Sequence, residues 1–397
     1  MEMKPFKPAD RTINIQYAIR DIIIMAEQVR KTGKEMLYLN IGDPNAYDHV
    51  TPSHIIEATY KAMLDNKNGY SPSSGVPSAI DAINEDARKK GIKNILDTFV
   101  TTGASEAIEI CLSAILNKGD NFLMPTPGYP LYTAVQAKLE LEPNPYYLDE
   151  SNGWQPDIDD IRRKINSRTK AIVLINPNNP TGSVCDRETL DELAKLAMER
   201  NLLIISDEIY DKLIFDDRKH IAIASLYEDL PAVTFSGMSK NYVVPGFRIG
   251  WGVASGKKDI MNDFLEAVNR ILRARVCANH PEQYAIPVAL QGDQSHLKSL
   301  VATLQKRRDL SIEMLSKIQG ISIVKPQGAF YMFPSIDVKD DSRFVAELIK
   351  ETGVVVVPGS GFGQKPGSNH FRIVILPDEI TLKKSFELIE SFVKKYK

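Results

Sequence analysis

Four polar clusters stand where short apolar runs give way to helical patterns. They are Thr102-Gly103-Ala104-Ser105, Asn176 to Gly182 (NPNNPTG), Asp207-Glu208-Ile209-Tyr210, and Ser236-Gly237-Met238-Ser239-Lys240. In a parallel sheet, groups that do chemistry gather at the carboxyl ends of strands. Asn179 and Asp207 are 28 residues apart, and Asp207 and Lys240 are 33 apart. Each spacing is about one strand, helix and strand repeat, so one rim can hold all four clusters. A Gly-Ala-Ser that opens a helix offers backbone N–H groups and the positive end of the helix dipole, a seat for a phosphate. Asp207 closes the very apolar LLIISD, where a carboxylate is costly to bury unless it faces a cation such as a protonated ring nitrogen. A lysine on the same rim, Lys240, can be desolvated into a nucleophilic amine that condenses with a carbonyl. A phosphate, a ring cation and an aldehyde together describe pyridoxal phosphate.

The elements that must position these groups follow from alternation. TFVTT precedes ASEAIEICLSAIL, NFLM precedes YPLYTAVQAKL, AIVLIN precedes RETLDELAKLAMER, and LLIISDE and AVTFS follow. That is the grammar of βα units and a mostly parallel sheet. Ile108, Cys111, Leu112, Ile115 and Leu116 recur at helical spacing, as do Leu190, Leu193, Ala194 and Ala197, which predicts one apolar face per helix. Asp186 has the side chain that an N-cap needs. After about residue 285, long helices give way to short strands at GISIVK, AFYMFP, VVVVP and FRIVIL. The expectation is an α/β protein with a large, mostly parallel sheet covered by helices on both faces. A smaller α+β domain is built from both termini. The expected boundaries are 1–50 for an N-terminal arm and part of the small domain, 51–285 for the large cofactor-binding domain, and 286–397 for the small C-terminal domain.

Composition narrows the class. With 397 residues, 43% apolar and 25% charged, the chain lies in the globular range and is large enough for two lobes. Lys plus Arg is 49 against 51 for Asp plus Glu, a net charge of −2. That lacks the basic excess of a nucleic-acid binder. Apolar runs such as Ile22–Ala26 fall far short of the ~18 to 20 residues that span a bilayer, and MEMKPFKPADR has no apolar signal region. Three cysteines with no close pair and six scattered histidines fit neither a disulfide framework nor a zinc spacing. The expectations are a cytoplasmic protein with no membrane contact, no nucleic acid and no metal.

The chain resembles the class I/II, fold-type I pyridoxal-phosphate-dependent aminotransferases. The matching stretches run in the family's order: NIGDP (40–44), GYSPSSG (69–75), TGASEA (102–107), PTPGYPLY (125–132), NPNNPTG (176–182), SDEIYD (206–211), SGMSKNYVVPGFRIGW (236–251) and FRI (371–373). Pyridoxal 5'-phosphate is the implied cofactor. Lys240 resembles the lysine that forms the internal aldimine and then moves the proton at the substrate Cα. Asp207 resembles the partner of the ring nitrogen, and Tyr210 and Asn179 the pair that hydrogen-bonds the phenolic oxygen. Tyr129 matches the aromatic stacked on the ring, and Ala104, Ser105, Ser239 and Arg248 match the phosphate cradle. Tyr70 resembles a phosphate ligand delivered from the neighbouring subunit, which implies a homodimer with shared sites. Arg372 resembles the fork that grips the substrate α-carboxylate, with Asn179 and the Gly42 backbone nearby. Tyr17 resembles an N-terminal aromatic that narrows the pocket over small side chains. One position departs: the family often has Ser three residues before the lysine, and Gly237 stands there, leaving that hydroxyl to Ser236 or missing.

YAIRDIIIMAEQVRKTGKEMLYLNIGDPNAYDH and RVCANHPEQYAI resemble microbial alanine aminotransferases, which implies ping-pong transfer from alanine to 2-oxoglutarate, giving pyruvate and glutamate. Aspartate-specific relatives place an arginine five residues before an Asn-Pro-like turn. Counting back five from Asn279 gives Ala274, flanked by Arg273 and Arg275. That dedicated charge is absent, and Arg20 or water is left to meet the second carboxylate of glutamate. The rival readings are a broad aspartate or aromatic aminotransferase, a lyase on the same scaffold, and a regulator that keeps the cofactor domain as a sensor. Taken singly, each residue has a plainer reading: Lys240 at the surface, Asp207 as a cap, Tyr129 and Tyr210 in the core. Gly-Ser-Gly-Phe-Gly at 359–363 lacks the dinucleotide spacing and reads as a loop. His280 and His370 read as structural histidines, and VKKYK at the C-terminus as a solvated helix end.

Overall fold

The computed structural model describes residues 3, 5–13, 15 and 18–396, without the side chains of 18–21. Tyr17 and the Arg20 side chain lie outside the described residues. The large sheet has eight strands: β1 (Ile95–Thr102), β2 (Asn121–Thr126), β3 (Pro145–Asp149), β4 (Gln155–Pro156), β5 (Thr169–Ile175), β6 (Leu203–Asp207), β7 (Ala232–Gly237) and β8 (Ile249–Ser255). Their order is β1-β8-β7-β6-β5-β2-β3-β4. The run from β7 through β6, β5 and β2 to β3 is parallel, whereas β8 is antiparallel to both its neighbours and β4 to β3. β3, β4 and β8 were not among the expected strands. At β8 the chain turns through Pro245–Phe247 after Lys240 and returns beside β7 without a crossover helix, so the alternation of strand and helix that reveals β1, β2, β5, β6 and β7 is missing there.

β6, β7 and β8 are buried along their whole length, as befits strands covered on both faces. Side chains alternate between the faces: Ile204 packs into one apolar cluster with Leu190 and Leu193, and Ile205 into another with Ile108, Cys111 and Leu112. The helices Ala104–Ile115 and Arg187–Glu199 therefore cover opposite faces, each through the apolar stripe expected of it. Asp186 caps the second, accepting the Thr189 N–H at 2.8 Å.

A third cluster forms the smaller lobe. Its strands are short. Leu37–Tyr38 pairs parallel with Val354–Val355, and Phe371–Val374 pairs antiparallel with both Tyr331–Met332 and Val357–Pro358. The helices Ser295–Leu315, Asp341–Thr352 and Glu379–Val393 pack around them. The C-terminal segment corrects an expectation, because the Tyr396 ring packs on Phe344 and Phe392 at 5.3 and 5.2 Å between centroids. Tyr396 and Val393 dock the tail although the residues between and after them are lysines. Among the described residues no helix is long and apolar enough to cross a membrane. Asp186→Ala should lower stability by about 1 kcal/mol through loss of the cap, read as a lower urea midpoint with an unchanged slope.

Candidate active site

The carboxyl edge of the large sheet faces the smaller lobe. Asp207 ends β6, Lys240 follows β7 by three residues, and the loop after β5 carries Asn179. That loop is shaped by its own polar groups, since Asn178 Oδ1 accepts both the N–H and the hydroxyl of Thr181, and Gly182 N–H closes back on the Asn178 carbonyl. Asn179 is buried, and its side-chain oxygen accepts Arg372 Nη1 at 3.2 Å. Arg372, on the smaller lobe, also donates Nη2 to the Asn40 carbonyl at 2.5 Å, and its Cζ lies 4.7 Å from the ring centroids of both Tyr331 and Phe362.

Lys240 Nζ donates to the Gly42 carbonyl at 2.7 Å. Burial lowers its pKa to about 8; Arg372 and Arg248 push the same way and Asp43 opposes. Asp207 accepts the Tyr132 hydroxyl at 3.2 Å and the Ile209 N–H at 3.4 Å. Among the described residues no cation pairs with it, and burial raises its pKa to about 6. Tyr210 meets the Tyr331 hydroxyl at 2.9 Å, and burial pushes its phenol well above the usual range, so it stays protonated.

The helix Ala104–Ile115 begins with no side-chain cap, so the amides of Ala104 and Ser105 are offered outward. Gly103 precedes it at φ 74°, and a Cβ there would come within 2.5 Å of Arg248 Nη2, so the glycine lets the guanidinium lie against the start of the helix. Arg248 is itself left-handed at φ 54°, with Nη1 on the Pro245 carbonyl at 3.0 Å. Ser239 is buried beside Lys240. At Gly237 a Cβ would come within 2.8 Å of the Ile249 carbonyl on β8. The close approach of β8 thus explains the glycine. Tyr129 borders a cleft of about 370 Å³ together with Thr126, Gly128, Tyr132, Phe362 and Gly363. Tyr70 is a different case, 85% exposed after the helix Ser53–Leu64.

Three residues at this edge were missed by sequence reasoning: Tyr132, Tyr331 and Phe362. Tyr331 lies in the apolar AFYMFP, which reads as a core strand, and Phe362 in the glycine-rich stretch that read as a plain loop. Tyr132 falls inside PTPGYPLY, where its position two residues into a helix was the available signal.

Residues 34–387 match the family model described as aminotransferase class I and II. The chain belongs to that family. It is 40% identical to the glutamate-pyruvate aminotransferase AlaA of Escherichia coli strain K12, over 96% of this chain and 97% of that one. It is 38% identical to an alanine aminotransferase of Mycobacterium tuberculosis strain H37Rv, over 99% and 94% of the two chains. Its structure resembles that of an alanine aminotransferase from Pyrococcus furiosus with a TM-score of 0.95, at 40% identity, covering 98% of this chain and 100% of that one.

Class I and II aminotransferases use pyridoxal phosphate, and the edge of this aminotransferase fits that group. The buried carboxylate of Asp207 lacks a cation among the described residues, the amine of Lys240 is desolvated, and an uncapped helix start lies beside Arg248. The cost of Asp207 is measurable in the cofactor-free aminotransferase. Its folded pKa of about 6 lies above the ordinary 3.8, so the folded state holds the extra proton between these values and stability falls as pH rises through the window. Asp207→Asn should therefore stabilise the cofactor-free protein by up to ~3 kcal/mol at pH 8. The gain should fade toward pH 4, followed by urea unfolding across that range.

Proposed function

We propose that this chain is an alanine aminotransferase, a cytoplasmic homodimer that moves the amino group of alanine to 2-oxoglutarate by a ping-pong route. The observation that carries the substrate is the set of near full-length relatives named for alanine or for glutamate-pyruvate exchange. Arg275, beside residue 274, supports a small donor side chain. Arg275 donates Nη2 to the Val100 and Ser73 carbonyls at 2.7 and 3.2 Å, so it is engaged with its own backbone.

Pyridoxal phosphate, when bound, supplies an aldehyde that takes up the amino group and a protonated ring that withdraws electrons from the substrate carbon. Asp207 holds the ring nitrogen's proton in place. Tyr210 donates to the phenolic oxygen. Asn179 joins it, because Arg372 already occupies the Asn179 carbonyl and leaves the amide N–H groups as donors. Tyr129 would lie against the ring, while Ala104, Ser105, Ser239 and Arg248 would hold the phosphate. Lys240 Nζ would hold the cofactor's aldehyde and would carry the proton at the substrate Cα. With its pKa lowered to about 8, the amine is close enough to neutrality to accept that proton and give it back. Arg372 binds the α-carboxylate through its fork, beside the Gly42 backbone. Tyr17, outside the described residues, keeps its proposed place over the donor's side chain.

We take 51–285 as the cofactor-binding domain and 1–50 with 286–397 as the small one, a division supported by the pairing of Leu37–Tyr38 with Val354–Val355. The homodimer is supported by a second apolar face. The helix Ser53–Leu64 buries Ile55, Thr59 and Ala62 yet leaves Ile56, Tyr60 and Met63 exposed at i, i+4 and i+7, near the exposed Tyr70.

Alanine should exceed aspartate and phenylalanine in kcat/KM with 2-oxoglutarate as acceptor. Steady-state comparison decides, and a preference for either rival would replace the substrate while leaving the aminotransferase in place. Mixing inactive Tyr70→Ala and Lys240→Ala chains should restore up to about a quarter of wild-type activity, since half the dimers then hold one sound site. No recovery after verified subunit exchange would show Tyr70 acting within its own chain.

A further inference from the structure

Tyr331 has no assigned part in the reading above, on which this inference rests. It lies on the strand Tyr331–Met332, paired antiparallel with the strand that carries Arg372, and it is buried. Its side chain meets both halves of the site. The hydroxyl is 2.9 Å from the Tyr210 hydroxyl, and the two rings meet edge-on with centroids 5.6 Å apart. The ring centroid is 4.7 Å from the guanidinium carbon of Arg372. Room for the hydroxyl comes from Gly42, where a Cβ would collide with it. That same glycine's carbonyl accepts Lys240 Nζ.

We propose that Tyr331 is a positioning residue with two separable parts: its hydroxyl donates to Tyr210, freeing the Tyr210 proton for the cofactor's phenolic oxygen, and its ring fixes the Arg372 guanidinium that receives the substrate carboxylate. A phenol has one proton to give and lone pairs to accept with. If Tyr210 gives that proton to the phenolic oxygen, the 2.9 Å contact with Tyr331 requires Tyr331 as donor. Hydroxyls in series polarise one another, so the second strengthens the first as a donor. On the other side, a cation held over an aromatic face is attracted to it, more so when both are desolvated. Asp207 and Tyr129 face Tyr210, and Asp43, Tyr47, Lys240 and Arg372 surround the Gly42 side. Tyr331→Phe leaves all of these in place, so a change in titration reads the hydroxyl alone.

The test uses the holoenzyme and propionate, an unreactive carboxylate. The visible absorbance of the lysine-bound cofactor is titrated against pH, and propionate affinity is read from its effect on that absorbance. Tyr331→Phe should raise the pH midpoint by about half a unit or more, because a weaker Tyr210 donor stabilises the anionic phenolic oxygen less. Propionate affinity should stay within about twofold, since the ring remains. Tyr331→Leu should weaken propionate by about fivefold or more, with Tyr331→Met used in its place if the leucine variant does not retain cofactor. A midpoint that moves less in Tyr331→Phe overturns the part given to the hydroxyl. A smaller loss of propionate affinity in the variant without the ring overturns the part given to the ring. A tyrosine that only filled space would give both of these results. If borohydride reduction of the wild-type holoenzyme fixes the cofactor on a lysine other than Lys240, the reading of the cleft itself falls and this inference with it, a result distinct from the other two.

Discussion

A desolvated carboxylate at the end of a strand buried on both faces is the constraint around which this molecule is arranged. Asp207 lies in register with Ile175 on β5 and Phe235 on β7. Its carbonyl accepts the Asn176 N–H at 3.0 Å, and the following Glu208 N–H reaches the Phe235 carbonyl at 2.9 Å. Knit on both sides, the strand end cannot swing its carboxylate toward water. One hydroxyl and one long amide contact are poor replacement for a hydration shell, and the pKa rises as a result. A cation that pairs with Asp207 in the folded state alone would be bound more tightly by the free energy it relieves.

Behind that edge lies a second layer of buried charge. Lys90 pairs with Asp211 and, at 2.9 Å, with Asp86, which also accepts Lys212 at 2.8 Å. Glu208 accepts the Ser206 hydroxyl, and burial raises its pKa to about 8, so at neutral pH it is mostly uncharged and two lysines face two aspartates. Neutrality is what lets such a cluster stay buried. It has a geometric consequence for the site. Asp211 follows Tyr210 and Asn241 follows Lys240, and the bond from Asn241 Nδ2 to Asp211 Oδ1 is 2.7 Å. The separation of the phenol and the amine is thereby fixed from beneath, on packed elements instead of free loop ends.

The sequence made the rim legible because strands that end in polar clusters announce themselves by alternation, and because Asp207 and Lys240 are residue types with few comfortable reasons to sit there. It was less informative wherever position depends on a distant partner. Arg372 in FRIVIL has the pattern of an ordinary strand residue, and only the fold brings it to Asn179, 193 residues away in the chain. Tyr331 and Phe362 are aromatics among apolar or glycine-rich neighbours, and nothing local separates a ring that backs a guanidinium from a ring that fills a core. β8 was hidden for a different reason. Its residues belong to the same continuous stretch as Lys240 and Arg248, so the chemistry of the stretch masked its antiparallel return, although that return is what excludes a side chain at Gly237.

Arg372 shows why two lobes are needed at all. Arg372 comes from a strand of the smaller lobe, and two of its neighbours, Tyr331 and Phe362, come from that lobe as well. Its hydrogen-bond partners come from both lobes: the Asn40 carbonyl from the N-terminal segment of the smaller one and the Asn179 side chain from the loop after β5 of the large sheet. A planar guanidinium has donors along fixed directions, so its orientation is set only when rings and acceptors are placed together. Four separate segments must therefore be in register before the guanidinium takes its orientation. The packing between the lobes consequently sets the direction of the Arg372 guanidinium, and a change that shifts one lobe against the other alters that direction.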